Sequence, residues 1–220
     1  MHLHREGYNI IAISIAATIL ILAAMIAFIN PWTMGHNILA AILLIITTGI
    51  VWFFRIPHRN STQDSNKLIA PADGTVVTIE ETYEREYIKG ECIQLSIFMS
   101  LTNVHVNRYP CDGVVEYVKY TRGNYFVAAY PKSSDLNEHA SVGIRLADGN
   151  RILIRQIAGA VARRIVCYAT EGEQVKQNQE LGFIRFGSRV DVFMPKSFVP
   201  SIDIGERVKN AITPIASTTK

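Results

Sequence analysis

Gly74-Thr75-Val76-Val77-Thr78-Ile79 decides the fold of this 220-residue chain. The turn pair Asp73-Gly74 opens the run and β-branched residues fill it, so it reads as a strand. Runs of the same kind follow at residues 92–98, 113–118, 141–146, 151–157, 164–168 and 190–194. Turn signals recur about every ten residues, the spacing of short antiparallel strands. No long amphipathic helix stands beyond Pro57. The pattern predicts a mostly β unit, an antiparallel sandwich or barrel.

Two further stretches give that unit a lipoyl-like, hybrid character. Gly74-Thr75-Val76-Val77 has a weak echo in Gly159-Ala160-Val161-Ala162. Glu171-Gly172-Glu173-Gln174-Val175-Lys176-Gln177-Asn178-Gln179-Glu180-Leu181-Gly182 is similar to the turn-and-strand pattern of lipoyl/biotinyl-type sandwich domains. Such a pattern bears on fold and not on activity.

Upstream, the periodicity disappears. Tyr8–Phe28 runs 21 residues without a charge, about 31 Å as a helix. Residues 38–54 are again uncharged, about 26 Å as a helix, the lower limit for crossing a hydrocarbon core. Asn30-Pro31 interrupts the two, and the connector 30–37 has no Lys or Arg. Arg5 precedes the first span, and Arg55, Arg59 and Lys67 follow the second, so the positive-inside rule puts both ends in the cytoplasm. Trp32 and Trp52-Phe53-Phe54 fall where interfacial aromatics belong. A signal peptide is one competing reading, against which stand the length of the run and the second span close behind it. A shallow hairpin that dips into the bilayer without crossing is the other. Residues 1–59 are therefore read as an α-hairpin membrane anchor, with helices at 8–28 and 38–54, and 60–220 as the β unit on the cytoplasmic side of the cell membrane. Polar Asn60-Ser61-Thr62-Gln63-Asp64-Ser65-Asn66 marks the boundary.

Charge and cysteine usage narrow the function classes. Twenty-two Lys and Arg against nineteen Asp and Glu leave +3, too little to argue for a nucleic-acid partner. Residues 1–54 hold only Arg5 and Glu6, so a wholly soluble chain is excluded, and so is a disordered one. Cys92, Cys111 and Cys167 form no CxxC pair. That argues against a disulfide framework and a structural metal site, and suits a reducing compartment.

The chemistry-bearing residues sit in three short stretches: Ala70-Pro71-Ala72-Asp73-Gly74, Asn103-Val104-His105-Val106-Asn107-Arg108-Tyr109-Pro110, and Phe186-Gly187-Ser188-Arg189-Val190-Asp191. Singly they are weak: Asp73 alone reads as a turn residue, His105 as a strand histidine, Ser188 as a turn hydroxyl. Jointly they complete one reaction. A serine after glycine can attack the preceding carbonyl when the peptide is bent and a base is near, and glycine permits the bend. The N→O shift makes an ester, β-elimination breaks the chain, and hydrolysis of the dehydroalanine leaves a pyruvoyl group. A His with an Asp is the acid–base set that such steps need.

With those residues in place, the chain resembles the phosphatidylserine decarboxylase proenzymes, in their short bacterial and archaeal branch. The likeness covers roughly residues 50–200 in motif order. Phe53-Phe54-Arg55-Ile56-Pro57 ends the anchor, residues 70–74 and 105–110 follow, Asn137-Glu138-His139 resembles the family's Asn-Glu pair, and residues 182–195 surround the processing serine. The resemblance implies a proenzyme cut between Gly187 and Ser188 into a β chain, 1–187, and an α chain, 188–220, which stay together as a heterodimer. It implies a covalent pyruvoyl cofactor from Ser188, no metal, a Schiff base with the serine amine of a membrane phospholipid, and loss of CO₂ to give phosphatidylethanolamine. A homodimer is also implied.

Roles follow residue by residue. Ser188 is the nucleophile and pyruvoyl precursor, Asp73 the processing partner, and His105 the proton donor or a phosphate contact. Arg108, Asn137, Glu138 and His139 are candidate substrate contacts. Longer members carry two histidines three apart, whereas this sequence has His105 and then Arg108. Either His105 serves both cleavage and decarboxylation, or another group such as His139 assists Ser188. His2, His4, His36 and His58 read as interfacial or terminal. The alternatives are a decarboxylase of an archaeal-type serine ether lipid (archaetidylserine), a pyruvoyl decarboxylase of a soluble amino acid, an uncleaved homologue with a binding role, and a non-enzymatic membrane-tethered lipoyl-like module.

Overall fold

The computed structural model describes residues 1–29, 32–61, 63–124, 126, 136–159, 164–185 and 187–218. Asn30-Pro31, Ala160-Val161-Ala162 of the internal echo, and Phe186 lie outside the described residues. Two compact units make up the chain, Met1–His58 and Arg59–Lys220.

In the first unit, β1 (His2–Leu3) pairs antiparallel with β2 (Arg55–Ile56), and α1 (Tyr8–Phe28) and α2 (Met34–Phe53) lie between them. The second helix starts earlier than its apolar run because Thr33 caps it. The Thr33 side chain accepts from the backbone of His36, and His36 Nδ1 accepts from the Thr33 N–H at 3.0 Å. The hydroxyls of Thr18 and Thr47 hydrogen-bond across the two helices at 2.7 Å. Ile13, Ile19, Leu20 and Ile26 on one helix and Ile38, Ile42 and Ile45 on the other are exposed. Helices that are apolar all round and this exposed require an apolar surrounding. Both are long and apolar enough to cross a membrane.

The second unit is a curled antiparallel β structure. Its strands are β3 (Lys67–Ile69), β4 (Gly74–Glu84), β5 (Gly90–Met99), β6 (Val106–Arg108), β7 (Gly113–Thr121), β8 (His139–Arg145), β9 (Arg151–Ala158), β10 (Arg164–Cys167), β11 (Gln174–Val175), β12 (Glu180–Arg185), β13 (Ser188–Met194), β14 (Phe198–Pro200), β15 (Arg207–Val208) and β16 (Pro214–Thr218). Eight form one sheet in the order β11-β7-β8-β9-β13-β5-β4-β15; β10-β12-β6 and β14-β16-β3 form two smaller ones. Bulges between Val76 and Thr78 and between Val115 and Tyr117 bend the large sheet. One core cluster draws on all three sheets, from Leu95, Ile97 and Val192 to Ile184 and Ile215. Strand β4 runs past Ile79 because Glu84 organises the hairpin end, its carboxylate accepting from the N–H groups of Glu86, Tyr87 and Ile88.

The boundary is not a bare spacer. Gln177 accepts from the Asp64 N–H and donates to the carbonyls of Lys67 and Pro110, and Arg59 belongs with the β unit through Asp73.

Candidate active site

Ser188 is the first residue of β13, opposite Met99 of β5 and Ala158 of β9. Strand alternation puts its side chain on the core face with Val190, Val192 and Met194. It is fully buried, and its hydroxyl donates to Met99 Sδ at 3.4 Å. Arg189 and Asp191 take the other face, both fully buried, joined by Nε–Oδ1 at 2.5 Å and Nη2–Oδ2 at 2.9 Å, while Gln94 donates to Asp191 Oδ2 at 3.2 Å. A bidentate pair of this kind fixes geometry as well as charge. It sits one residue from the hydroxyl.

Gly187 precedes Ser188 with φ +71°, a left-handed conformation, and a Cβ built there would meet open space. The constraint is on the backbone and not on room. Its N–H donates to Nε2 of His105 at 3.4 Å. His105 is fully buried, and Nδ1 stands 2.9 Å from the carbonyl of Asn103. With its proton on Nδ1, the ring turns an unprotonated Nε2 toward the Gly187–Ser188 turn. The structure thus brings His105, Gly187 and Ser188 together.

Asp73 lies in an adjoining cluster. Its carboxylate receives both Arg59 terminal nitrogens at 2.6 Å and the Asn210 N–H at 2.9 Å. Asn210 in turn accepts from Arg59 at 2.6 Å and donates to the carbonyl of Val106 at 3.0 Å, next along the chain from His105. Gly74 follows because a Cβ there would stand 2.2 Å from the Phe98 carbonyl oxygen. Arg108 faces Glu180 across β6 and β12 and donates to the Asn178 carbonyl at 2.7 Å. Burial pulls its guanidinium below the ordinary arginine value, Glu180 and Asp73 oppose that, and Arg59 adds to it.

The remaining predicted residues are placed apart. Asn137 donates to the carbonyls of Phe126 and Ala158, both at 2.8 Å, the second at the end of the strand that flanks Ser188. Glu138 accepts from the hydroxyl of Tyr120. His139 stands in the same cross-strand row as Ile157 and Arg189, so it is on the face away from the Ser188 hydroxyl. There it lines a polar cleft of about 550 Å³ with Glu84, Glu86 and Arg155. No trio of His, Cys, Asp or Glu among the described residues is grouped to hold a metal ion.

Two residues of the site are not singled out by the sequence. Arg59 reads there as a membrane-flanking charge, and Asn210 carries no motif. Their pairing spans 151 positions, a separation that no local pattern in the sequence displays.

Comparison with known proteins gives the family. The family model described as phosphatidylserine decarboxylase matches residues 46–216. A phosphatidylserine decarboxylase proenzyme of Amoebophilus asiaticus is 43% identical over 220 residues, covering 99% of this chain and 98% of the relative. One from Parabacteroides distasonis is 39% identical over the whole of both chains, and one from Porphyromonas gingivalis 46% identical over 74% of this chain and 76% of its own. With matches this long and a glycine–serine turn held against a buried histidine, the chain belongs to the phosphatidylserine decarboxylase family of carboxy-lyases.

Proposed function

We propose that the chain is a proenzyme that cleaves itself between Gly187 and Ser188 and then converts phosphatidylserine to phosphatidylethanolamine with a pyruvoyl group made from Ser188. One observation carries this reading: His105 Nε2 accepts from the N–H of Gly187, at a turn whose φ of +71° bends the peptide just before the serine hydroxyl. In the cut, Ser188 Oγ adds to the Gly187 carbonyl carbon and its proton passes to His105. The Ser188 nitrogen takes up a proton as the C–N bond breaks, which leaves an ester. Loss of the Ser188 Hα with the Cβ–Oγ bond frees the carboxylate of 1–187. Water then replaces the nitrogen, which departs as ammonia.

The surroundings fit such a group. Ser188 is wholly buried between Met99 and Ala158, and Asn107 and Gln156, both buried, are hydrogen-bonded to one another at 2.8 Å, with Asn107 also on Met99 Sδ. A ketone at this position supplies an electron sink for loss of CO₂. His105 holds and returns the proton. Asp73 acts as processing partner through Asn210, whose amide fixes the Val106 carbonyl beside His105, and Arg108 meets the phosphodiester.

The small chain 188–220 stays in place because its strands are shared out: β13 lies inside the large sheet, β15 pairs with β4, and β16 with β3. The α1–α2 hairpin crosses the bilayer with Arg5 and Arg55 at its cytoplasmic ends, and it tethers the β unit to the membrane that holds the substrate. Incubation of the purified full chain with phosphatidylserine vesicles tests the reading. CO₂ release is expected from the wild type and not from Ser188→Ala; equal release from both would overturn it.

A further inference from the structure

We infer that the buried carboxamides of Asn107 and Gln156 recognise the amino-acid end of the substrate, Gln156 accepting from its amine nitrogen and Asn107 donating to the carboxylate beside it. The inference deepens the proposed function and rests on the reading of Ser188 as the reacting centre.

Gln156 is out of character with its neighbours. In the large sheet it stands in a cross-strand row with Ala140, Val190, Ile97 and Val76, all buried and apolar. Ala158, two residues on, pairs with Ser188, so strand alternation puts Gln156 on the face that carries the Ser188 side chain. Gln156 is fully buried, and its Oε1 has no hydrogen-bond partner among the described residues. Such an oxygen costs stability that an apolar side chain would not, and native cores keep few of them. The other end of the amide is engaged: Nε2 donates to Asn107 Oδ1 at 2.8 Å. Asn107, also fully buried, donates from Nδ2 to a thioether, Met99 Sδ, at 3.6 Å. The same sulfur accepts from the Ser188 hydroxyl at 3.4 Å. Gly182, opposite Asn107 in β12, leaves room for the pair, since a Cβ there would stand 3.0 Å from Gln156 Nε2.

The pair therefore offers one unmet acceptor and one donor that rests on sulfur, a weak acceptor. These two ends match one class of ligand. An α-amino acid bears N–H donors and a carboxylate on a single carbon, whereas an ethanolamine group bears the donors alone. A hydrogen bond to a carboxylate is stronger than one to a neutral acceptor, so the substrate gives Asn107 what Met99 supplies poorly. Met99 is unbranched, and a side chain of that kind adapts readily to a neighbour. A site built on hydrogen bonds also discriminates against an analogue without the bonded group, because its own buried polar atoms are then left unpaired. Loss of CO₂ removes the Asn107 contact, so the product is held less firmly than the substrate.

The test counts amine capture on the small chain of the full-length protein. Phosphatidylserine and phosphatidylethanolamine are offered together in equal amounts, with acyl chains of different length. Within the first turnovers, cyanoborohydride fixes the carbon–nitrogen bond formed when an amine adds to the residue-188 ketone and water leaves. The mass of chain 188–220 then reports which lipid was captured, whether or not its CO₂ has gone. The wild type should favour the serine lipid roughly tenfold or more, a result that needs no variant. Asn107→Leu should bring that ratio close to one, which a merely structural lesion would not do. Per cleaved chain, Gln156→Met should capture both lipids about tenfold less, and Gln156→Glu, which keeps an acceptor oxygen, should recover part of the loss. Equal capture by the wild type, an unmoved ratio in Asn107→Leu, or a Gln156→Glu no better than Gln156→Met would each overturn the inference alone. A wild type that captures neither lipid would remove the proposed function, and the inference with it.

Discussion

Arg189→Met should destabilise the β unit severely, and adding Asp191→Leu should restore most of the loss. Both side chains are entirely out of solvent and share two short charge-assisted bonds, and Gln94 also donates to the carboxylate. Removing one member breaks a buried bidentate pair, which costs about 3–5 kcal/mol. Against a total stability of roughly 5–15 kcal/mol, that is a large share. Replacing both by apolar side chains of similar volume removes the desolvation problem, and such exchanges are often neutral or stabilising by about 1–4 kcal/mol. The assay is denaturant unfolding of the full chain in detergent, followed by far-UV circular dichroism in a Ser188→Ala background that keeps every variant as one uncut chain. A single variant within about 1 kcal/mol of its parent would refute the reasoning, because a buried bidentate pair cannot be broken so cheaply. So would a double variant as unstable as the single one.

Other consequences are open to direct measurement. Gly187→Ala meets no steric obstacle but must hold φ near +71°, at about 1–2 kcal/mol for an L residue. A gel time course should therefore show cleavage slowed roughly tenfold, and cleavage at the wild-type rate would contradict the strained-turn reading. Arg59→Gln strips the bidentate partner from Asp73, so it should slow cleavage more than Asp73→Asn, which still accepts from the Asn210 N–H; the reverse order in the same time course would place the active group on Asp73 itself. Burial raises the Glu86 carboxyl, but Arg155, Ser141, Lys119 and His139 outweigh it and hold the group below 4.5. A depressed carboxylate stabilises the fold above its unfolded value and loses that contribution as pH falls through the folded one. The melting temperature should drop as pH falls below 4.5, and Glu86→Gln should flatten that dependence in a pH series.

Much of the fold is legible in the sequence because alternation and turn residues are local. Residues 151–157 and 190–194 read as strands and are strands, and Tyr8–Phe28 is a helix with the predicted bounds. The misplaced boundaries have identifiable causes. A capping box at Thr33 starts α2 ahead of its apolar run, and Glu84 extends β4 through a stretch whose Glu80-Glu81-Thr82 composition hides it. Ser188, which by itself reads as a turn hydroxyl, is a strand residue, because Met99 and Ala158 pair with it from distant segments. The site is legible as residue types and not as connections. His105 and Gly187 meet across 82 positions, and Asp73 is taken up by Arg59 and Asn210. Arg59 sits at the seam between an apolar anchor and a polar segment, where a positive charge already has a sufficient explanation, so nothing in the sequence asks for a second one.

Intact mass spectrometry of the purified wild-type chain is the most direct test of self-cleavage. Two species should be found, corresponding to 1–187 and 188–220, the smaller one lacking an N-terminal amine and gaining mass on treatment with a hydride reagent, while Ser188→Ala remains a single chain. A wild type that stays whole from Met1 to Lys220 through purification and turnover would contradict the account.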